Sequence, residues 1–452
     1  MRPRRRVRLC AGDIGREGAT VSDVSDTLDE GGTPMTLTLK PWSSADLPVL
    51  ERANTPEMTR FIGGPETEAQ VAERHERYLR LNASGEAEMY RIDVDDEPVG
   101  AIGFWQVDHD GAPAYEAGWS VEPAWQGRGI ASTALRHLIA RVRHRGDRTL
   151  LVAYPGADNA ASQGVCRAVG FARGSTFTEP WRGGSLTVTT WTLDMSPLEI
   201  GDRVPDVDER FSGALDRERW WPYYLPHWAS RATTSARWRT GAQGLELRID
   251  DDTAPWAPDI DGEVRVSHLQ TGQRSGPEGS SVGQHRFREG LVVREEQPDA
   301  GLWLVRYGVI EARMTAVRDA RAMVAFWPIG VEDAPEHSGE ICVCEIFGHE
   351  LDDDGGWVGV GVKAQHDPGL RDDVEKIRVE GDLTQPHDYA VEWSPDRIRF
   401  FIDGRWVKTV NQSIDYPVQL MLDVYDLPLA PREESTHPFR MRVERVRSFP
   451  PA

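Results

Sequence analysis

The chain is poor in lysine, cysteine, net positive charge and long apolar runs. Only four of its 452 residues are lysine (Lys40, Lys363, Lys376 and Lys408), so arginine carries nearly all the positive charge. Acidic residues outnumber basic ones by 73 to 52, a formal net charge of −21. Phosphate backbones demand basic surface, which excludes nucleic acid as the main partner. No apolar segment approaches the roughly 20 residues that cross a bilayer as a helix, so no membrane span is expected. The four cysteines are not spaced as a disulfide framework, which suits a reducing interior and points to the cytoplasm. No apolar stretch follows the basic residues 1–6, so the start does not read as a secretory signal. Residues 1–34 are expected to be a disordered tail, or translated upstream sequence with Met35 the true start.

What is present divides into two halves. A chain of this length has room for two or three domains. Motifs place one domain at 36–195 and another at 206–452, with the short, polar, Pro-containing stretch 196–205 as linker.

In the second half, residues 338–348 read Ser-Gly-Glu-Ile-Cys-Val-Cys-Glu-Ile-Phe-Gly. Two carboxylates, Glu340 and Glu345, stand in an apolar, β-branched run that reads as a buried strand. Each must be desolvated there and gains nothing without a partner. Positions five apart face opposite sides of a regular strand. A single β-bulge brings both acids to one face. Two carboxyls at roughly 5–5.5 Å are what a retaining glycosidase needs.

This pattern resembles the active-site strand of family 16 glycoside hydrolases, the laminarinase and β-glucanase type, with motif E-[IL]-D-[IV]-x-E. Glu340, Ile341, Val343 and Glu345 carry the match; the family's central Asp is Cys342 here. The likeness extends over about 206–452, through Phe211-Ser212-Gly213-Ala214-Leu215-Asp216 with Trp220, through Tyr307-Gly308 and Glu311-Ala312-Arg313, and through Ala325-Phe326-Trp327-Pro328. His387, Tyr389, Trp393, Ile398, Phe400, Asp403 and Gly404 complete it. The resemblance implies a concanavalin-like jelly-roll sandwich acting on a β-glycan or oligosaccharide, with Glu340 as nucleophile and Glu345 as acid/base. A thiol at 342 removes a charge that helps decide which acid holds the proton. A sandwich that binds carbohydrate without turnover therefore stands beside the hydrolase reading.

The residues alone point to the same architecture. Tyr389, Val391 and Trp393 alternate, as do Ile398, Phe400 and Ile402, and Asp403-Gly404 is a two-residue hairpin turn. Such runs recur to Val443 with little helical periodicity, as an all-β sandwich requires. Trp327 and His366 are candidate sugar-contacting residues; sandwich core for Trp327 and a surface loop for His366 are equally open. Trp393 reads more readily as core. Cys342 and Cys344 form a C-x-C pair without clustered His or Cys, so no metal is expected.

The first half carries a separate signature. Tyr115 to Val121 alternate like a strand, and a Gly-rich turn, Gln126-Gly127-Arg128-Gly129-Ile130-Ala131, leads into Ile130, Leu135, Leu138, Ile139 and Val142 at helical spacing. A turn of this kind exposes backbone N–H groups at a helix N-terminus, where anions are favoured. Asn159 is placed to cap a later helix and Gly170 to end it, with Phe171 folding back. The turn resembles Q/R-x-x-G-x-G/A, the acetyl-CoA pyrophosphate loop of GNAT acetyltransferases. Asn159, Ser162, Val165, Gly170 and Phe171 are similar to that family's second motif.

The GNAT resemblance covers about 36–195, closest in layout to the ribosomal-protein alanine acetyltransferases. It implies an α/β fold with a mixed central sheet, and acetyl-CoA as acyl donor to an amine on a small molecule or protein. Ser120 and Val121 would meet the pantetheine arm and the amides of residues 126–131 the pyrophosphate, with Asn159 and Ser162 close by. Many relatives place a Tyr acid where Cys166 stands. Glu116 is then the candidate base; a solvated strand glutamate is its plain alternative.

Overall fold

A computed structural model describes residues 25–28 and 35–451. The chain divides into two compact units, Met1–Ser196 and Pro197–Ala452. The expected tail falls outside the described residues except for Ser25–Leu28, which pairs as a strand with Met35–Pro41.

The first unit is built on eight strands: β1 (Ser25–Leu28), β2 (Met35–Pro41), β3 (Ala87–Val94), β4 (Glu97–His109), β5 (Ala112–Val121), β6 (Leu150–Ala153), β7 (Ala172–Trp181) and β8 (Gly184–Asp194). They run in the order β1-β2-β3-β4-β5-β6-β8-β7. Every neighbouring pair is antiparallel except β5 with β6. Asp95-Asp96, Asp110-Gly111 and Arg182-Gly183 take positive φ at both positions and close the three tight hairpins.

The helices are α1 (Leu47–Ala53), α2 (Pro56–Thr59), α3 (Glu68–Ser84), α4 (Ile130–Arg145) and α5 (Ala160–Ala168). Thr67 and Gln70 form a capping box at the start of α3, and left-handed Gly85 ends it. Trp42, Val49, Leu50, Val71, Met89 and Ala101 join α1 and α3 to one face of the sheet. The apolar stripe of α4 is buried at Ile130, Leu135, Leu138, Ile139 and Val142.

One feature of the sheet positions everything else in this unit. The parallel pairing of β5 with β6 lasts for only two rungs, Tyr115 with Leu151 and Glu116 with Val152. Strand β6 is held along its whole length by β8, from Leu150 opposite Asp194 to Ala153 opposite Trp191. Past Glu116, β5 keeps β4 alone as partner. The two parallel strands therefore part, and a wedge opens between them.

The second unit is an all-β, antiparallel jelly-roll sandwich. One sheet runs Arg237–Gly241, Gly244–Ile249, Phe439–Phe449, Gly308–Met314, His387–Trp393, Ile398–Ile402 and Arg405–Val410, with Val207–Glu209 beside Phe439–Phe449. Glu340–Phe347 is central in the other, between Ala322–Phe326 and Gly355–Lys363. Ile310, Ala312, Tyr389, Val391 and Trp393 from the first sheet meet Val324, Phe326, Ile341 and Val343 from the second in one core. Trp393 is core, with its ring 5.1 Å from that of Tyr307.

The expected bulge lies in the central strand. Cys342 pairs with Gly361 but Glu345 pairs with Gly359, so three residues advance on one strand against two on the other. Ile341 and Val343 point into the core before the shift, and Cys344 and Ile346 after it. Gly361 makes this register possible. Its φ is +147° and an added Cβ would lie 2.1 Å from the Asp373 carbonyl oxygen, backbone that cannot give way. Gly361→Ala is expected to cost at least about 1–3 kcal/mol, read as a lower denaturation midpoint for this unit.

Candidate active sites

The residues expected to serve acetyl transfer in the first unit lie along the wedge and in the loop beyond it. Gly127 and Gly129 have φ of +75° and +78°, and a Cβ at either would meet nothing within 4 Å. Gly129 is the N-cap of α4 and supplies no capping side chain. Thr133 N–H is the first in the helix to find a carbonyl, that of Gly129 at 3.0 Å. The amides of Ile130, Ala131 and Ser132 thus lack intrahelical acceptors at the positive end of a 16-residue helix. An open, uncapped cradle of this kind fits a diphosphate.

Side chains hold the loop in shape. Gln126 Nε2 donates to the Val121 carbonyl at 2.8 Å, and Arg128 donates to the Ala124 carbonyl at 3.0 Å while lying over the Trp125 ring. The Gln126 side chain and the Val121 carbonyl thus engage each other. Ser120 and Val121 lie on the part of β5 that has lost β6. Asn159 caps α5, its Oδ1 accepting from Ser162 N–H at 3.1 Å. Phe171 N–H returns to the Cys166 carbonyl at 3.0 Å behind Gly170.

Glu116 stands on the last rung before β5 and β6 separate. It is half-buried, and Trp105 Nε1 donates to its Oε2 at 3.2 Å. Burial pushes its pKa up to about 7; the Trp105 hydrogen bond opposes this and the Glu179 charge adds to it. Tyr154, just past β6, hydrogen-bonds His109 Nδ1 through its hydroxyl at 2.8 Å. Burial and then the Glu116 charge keep that phenol above its ordinary pKa, so it stays protonated. Cys166, where relatives carry tyrosine, is fully buried and its thiol is pushed up to about 12 by desolvation.

Sequence reasoning missed Trp105 and Tyr154. The first was within reach, because the Asp110-Gly111 turn fixes a register that sets Trp105 opposite Glu116. Tyr154 carried no such signal.

In the second unit the bulge places Glu340 and Glu345 on the face turned away from the sandwich core. They share one partner. Lys363 Nζ lies 2.9 Å from Glu340 Oε1 and 3.3 Å from Glu345 Oε1. Those two oxygens are therefore no more than about 6 Å apart, a limit that admits the roughly 5–5.5 Å of a retaining pair. Gln365 Nε2 donates to Glu340 Oε2 at 2.7 Å. Burial works against the Lys363 ammonium, but Glu340 and Glu345 outweigh it and hold its pKa above the lysine norm. Cys342 is buried, its thiol is raised well above the usual range by desolvation, and Sγ approaches the Gly359 carbonyl at 3.5 Å. The site thus holds two carboxyls, one ammonium and an uncharged thiol. Lys363 was not singled out from sequence, although it is one of four lysines and ends a strand directly opposite Glu340.

Trp327 is 6% exposed and belongs to a second apolar cluster on this outer face, with Tyr224, Trp228, Trp256, Met421 and Tyr425. Its Nε1 donates to Asp423, whose other oxygen meets His268. The His285 ring covers Trp327 at 5.1 Å between centroids. His366 is exposed; its Nε2 is 3.1 Å from the Arg286 carbonyl oxygen and its backbone N–H donates to Ser338 Oγ. Segment 285–286 thus joins Trp327 to His366. The bulge also turns Cys344 into the core and Cys342 away from it, so the C-x-C pair does not converge. Among the described residues no group of three or more His, Cys, Asp or Glu is arranged to hold a metal ion, and no helix is long and apolar enough to cross a membrane.

Comparison with known proteins assigns each unit to an enzyme class. Residues 36–172 match the family model of the acetyltransferase (GNAT) domain, and residues 303–430 match that of glycosyl hydrolases family 16. The chain carries a GNAT acetyltransferase domain followed by a family 16 glycosyl hydrolase domain, and acetyl-CoA is the acyl donor of the first. No curated protein matches the chain.

Among solved structures, the chain is similar to a GlcNAcα1-4Gal-releasing endo-β-galactosidase from Clostridium perfringens, at 26% identity and a TM-score of 0.50 over 57% of this chain. It spans 65% of that protein's length. A laminarinase catalytic domain from Thermotoga petrophila RKU-1 is 18% identical over 55% of this chain and 98% of its own, with a TM-score of 0.40. A ribosomal alpha-N-protein acetyltransferase in complex with coenzyme A is 22% identical over 35% of this chain and 93% of its own, with a TM-score of 0.32.

A β-branched side chain at position 129 would be strained at a φ of +78° and would project into the open space in front of the loop, where the diphosphate is expected. Gly129→Val is expected to weaken acetyl-CoA binding at least about tenfold in a calorimetric titration.

Proposed function

We propose that the protein is a bifunctional, cytoplasmic enzyme in which an acetyl-CoA-dependent N-acetyltransferase is joined to a retaining β-glycosidase. The observation that carries the transferase half is the position of Glu116, at the point where β5 and β6 part, with its pKa raised to about 7 by burial. Bound acetyl-CoA supplies the activated acyl group. The loop amides from 127 to 131 would hold its diphosphate, the expected Gln126 amide being already donated to the Pro123 carbonyl at 3.3 Å, and Ser120 and Val121 would border its arm, with Asn159 and Ser162 nearby. Glu116 takes the proton that the incoming amine sheds, directly or through water. Most of the acceleration comes from holding amine and acyl carbon together.

A base that titrates near 7 predicts the pH dependence. Acetyl transfer is expected to rise with pH through about 7 as Glu116 loses its proton. Glu116→Gln is expected to flatten that limb and lower kcat about 10²–10⁴-fold. A limb unchanged by the substitution removes Glu116 from the role. The same shift has a stability sign: because the folded state favours the protonated carboxyl, its contribution is complete below pH 4.5 and gone above about 7.

For the second domain, Glu340 is the nucleophile and Glu345 the acid/base toward a β-glycan or oligosaccharide, supported by the bulge and the shared Lys363 contact. Trp327 and His366 flank this pair through the 285–286 segment. Glu340→Gln is expected to abolish release of reducing sugar from laminarin or an aryl β-glycoside, and Glu345→Gln to slow it about 10²–10⁴-fold. The neutral thiol at 342 and the ammonium bridging both acids favour a second reading, in which the sandwich binds glycan without cleaving it. That reading expects glycan binding without turnover, unchanged by Glu340→Gln, and turnover appearing in a Cys342→Asp, Lys363→Gln double variant.

A further inference from the structure

We propose that the acceptor of the transferase domain is a primary amine borne beside an apolar or aromatic group, its ammonium facing Glu116 and Glu179. This rests on the acetyl-transfer reading and adds the class of amine. From Thr176 onward β7 pairs with β8 in regular register, so Phe177, Glu179 and Trp181 project from one face. That face looks toward Glu116. The Phe177 ring lies against Tyr154 at 6.0 Å in an edge-on contact, and the Glu179 charge acts on both Glu116 and Tyr154.

Opposite this strand runs the segment 60–64. Trp181 Nε1 donates to the Ile62 carbonyl at 2.8 Å, and an added Cβ on Gly63 would come within 2.8 Å of the Trp181 ring. Arg182 reinforces the contact, bonding Glu66 at 2.6 Å. The hairpin tip is thereby pinned to the loop, and Phe177 and Glu179 lie on the stretch of β7 between that contact and Tyr154, the neighbour of the candidate base.

The composition of this surface is unusual for the unit. Ile62, Phe177 and Trp181 are 40%, 40% and 39% exposed, and they are the exposed large hydrophobic residues found among the described residues of the first unit. Apolar groups left open to water beside a catalytic centre mark a surface that a ligand covers. The charge beside the base is negative, from Glu116 and Glu179; the nearby Arg182 lies over the Trp181 ring at 5.5 Å and is paired with Glu66. An ammonium with an apolar neighbour satisfies both: the cation meets the carboxylates and the apolar body displaces water from Phe177 and Trp181. A polyhydroxylated amine such as an amino sugar could lay only its C–H face on those rings, and its hydroxyls would lose water there without partners in return.

The test uses the full chain with labelled acetyl-CoA and four amines: phenylalaninamide, leucinamide, aspartic acid amide and glucosamine. The two apolar amines are expected to show a KM at least about tenfold below the other two, the ratio that 1.4 kcal/mol produces. Calorimetric titration of the same amines without acetyl-CoA should give the same order of Kd. Phe177→Ser and Trp181→Ser are expected to remove that preference while leaving calorimetric binding of acetyl-CoA unchanged, which separates lost recognition from lost folding. Acetylation of glucosamine or the acidic amine with equal or lower KM overturns this inference and leaves the transferase reading standing. Acetylation of none of the four, with acetyl-CoA bound normally, overturns the assigned amine class. Failure to bind acetyl-CoA counts against the transferase reading itself.

Discussion

The one-residue bulge between Cys342 and Glu345 is the constraint on which the chemistry of the second domain rests. Side chains alternate along a strand, so an unbroken pairing would send Glu340 and Glu345 to opposite faces and bury one of them in the sandwich core. The extra residue changes the parity once. Ile341 and Val343 fill the core on one side of it and Cys344 and Ile346 on the other, while both acids stay outside. The partner strand answers with glycine: Gly359 opposite Glu345 and Gly361 opposite Cys342, the latter in a conformation closed to other residues.

The first domain opens its wedge through unequal pairing on the two edges of one strand. Strand β6 lies between β5 and β8, pairing with β8 along its full length on one edge and with β5 for only two rungs on the other. Two rungs with β5 suffice to anchor the parallel pair, and past them that edge of β5 has no strand partner. Glu116 sits where pairing stops. There it is close enough to the interior for desolvation to dominate its proton affinity, yet within reach of an amine entering from solvent.

The second site differs electrostatically from what its strand motif implies. A carboxylate at 342 would add a third negative charge beside the pair; the buried thiol stays neutral, and the positive charge comes from across the sheet in Lys363. That ammonium occupies the oxygens that a sugar and its leaving group would have to approach. Nearby, His285 covers Trp327 and the Arg286 carbonyl meets His366. The aromatic face expected to greet a sugar is thus already partly covered by the protein's own loop. Any turnover has to be reconciled with a displaced lysine, which makes the Lys363 contacts the deciding difference between hydrolysis and binding.

Much of this protein could be read along the chain because its signals are local. The Gly-rich turn at 126–131 needs positive φ and starts a helix; Asn159, Gly170 and Phe171 cap and close another; Asp403-Gly404 turns a hairpin, and period-two alternation marks the strands it joins. The bulge could be named as the condition under which two acids five apart in an apolar run share a face, and the register contains it. What sequence could not supply are contacts between strands distant in the chain. Lys363 meets Glu340 only after a hairpin brings its strand alongside, Trp105 meets Glu116 through sheet register, and Trp327 is covered by a loop from forty residues upstream. Local conformational preference decided the elements and the two folds; the charge state and access of each site were decided by tertiary packing, because desolvation and ion pairing depend on what lies across space.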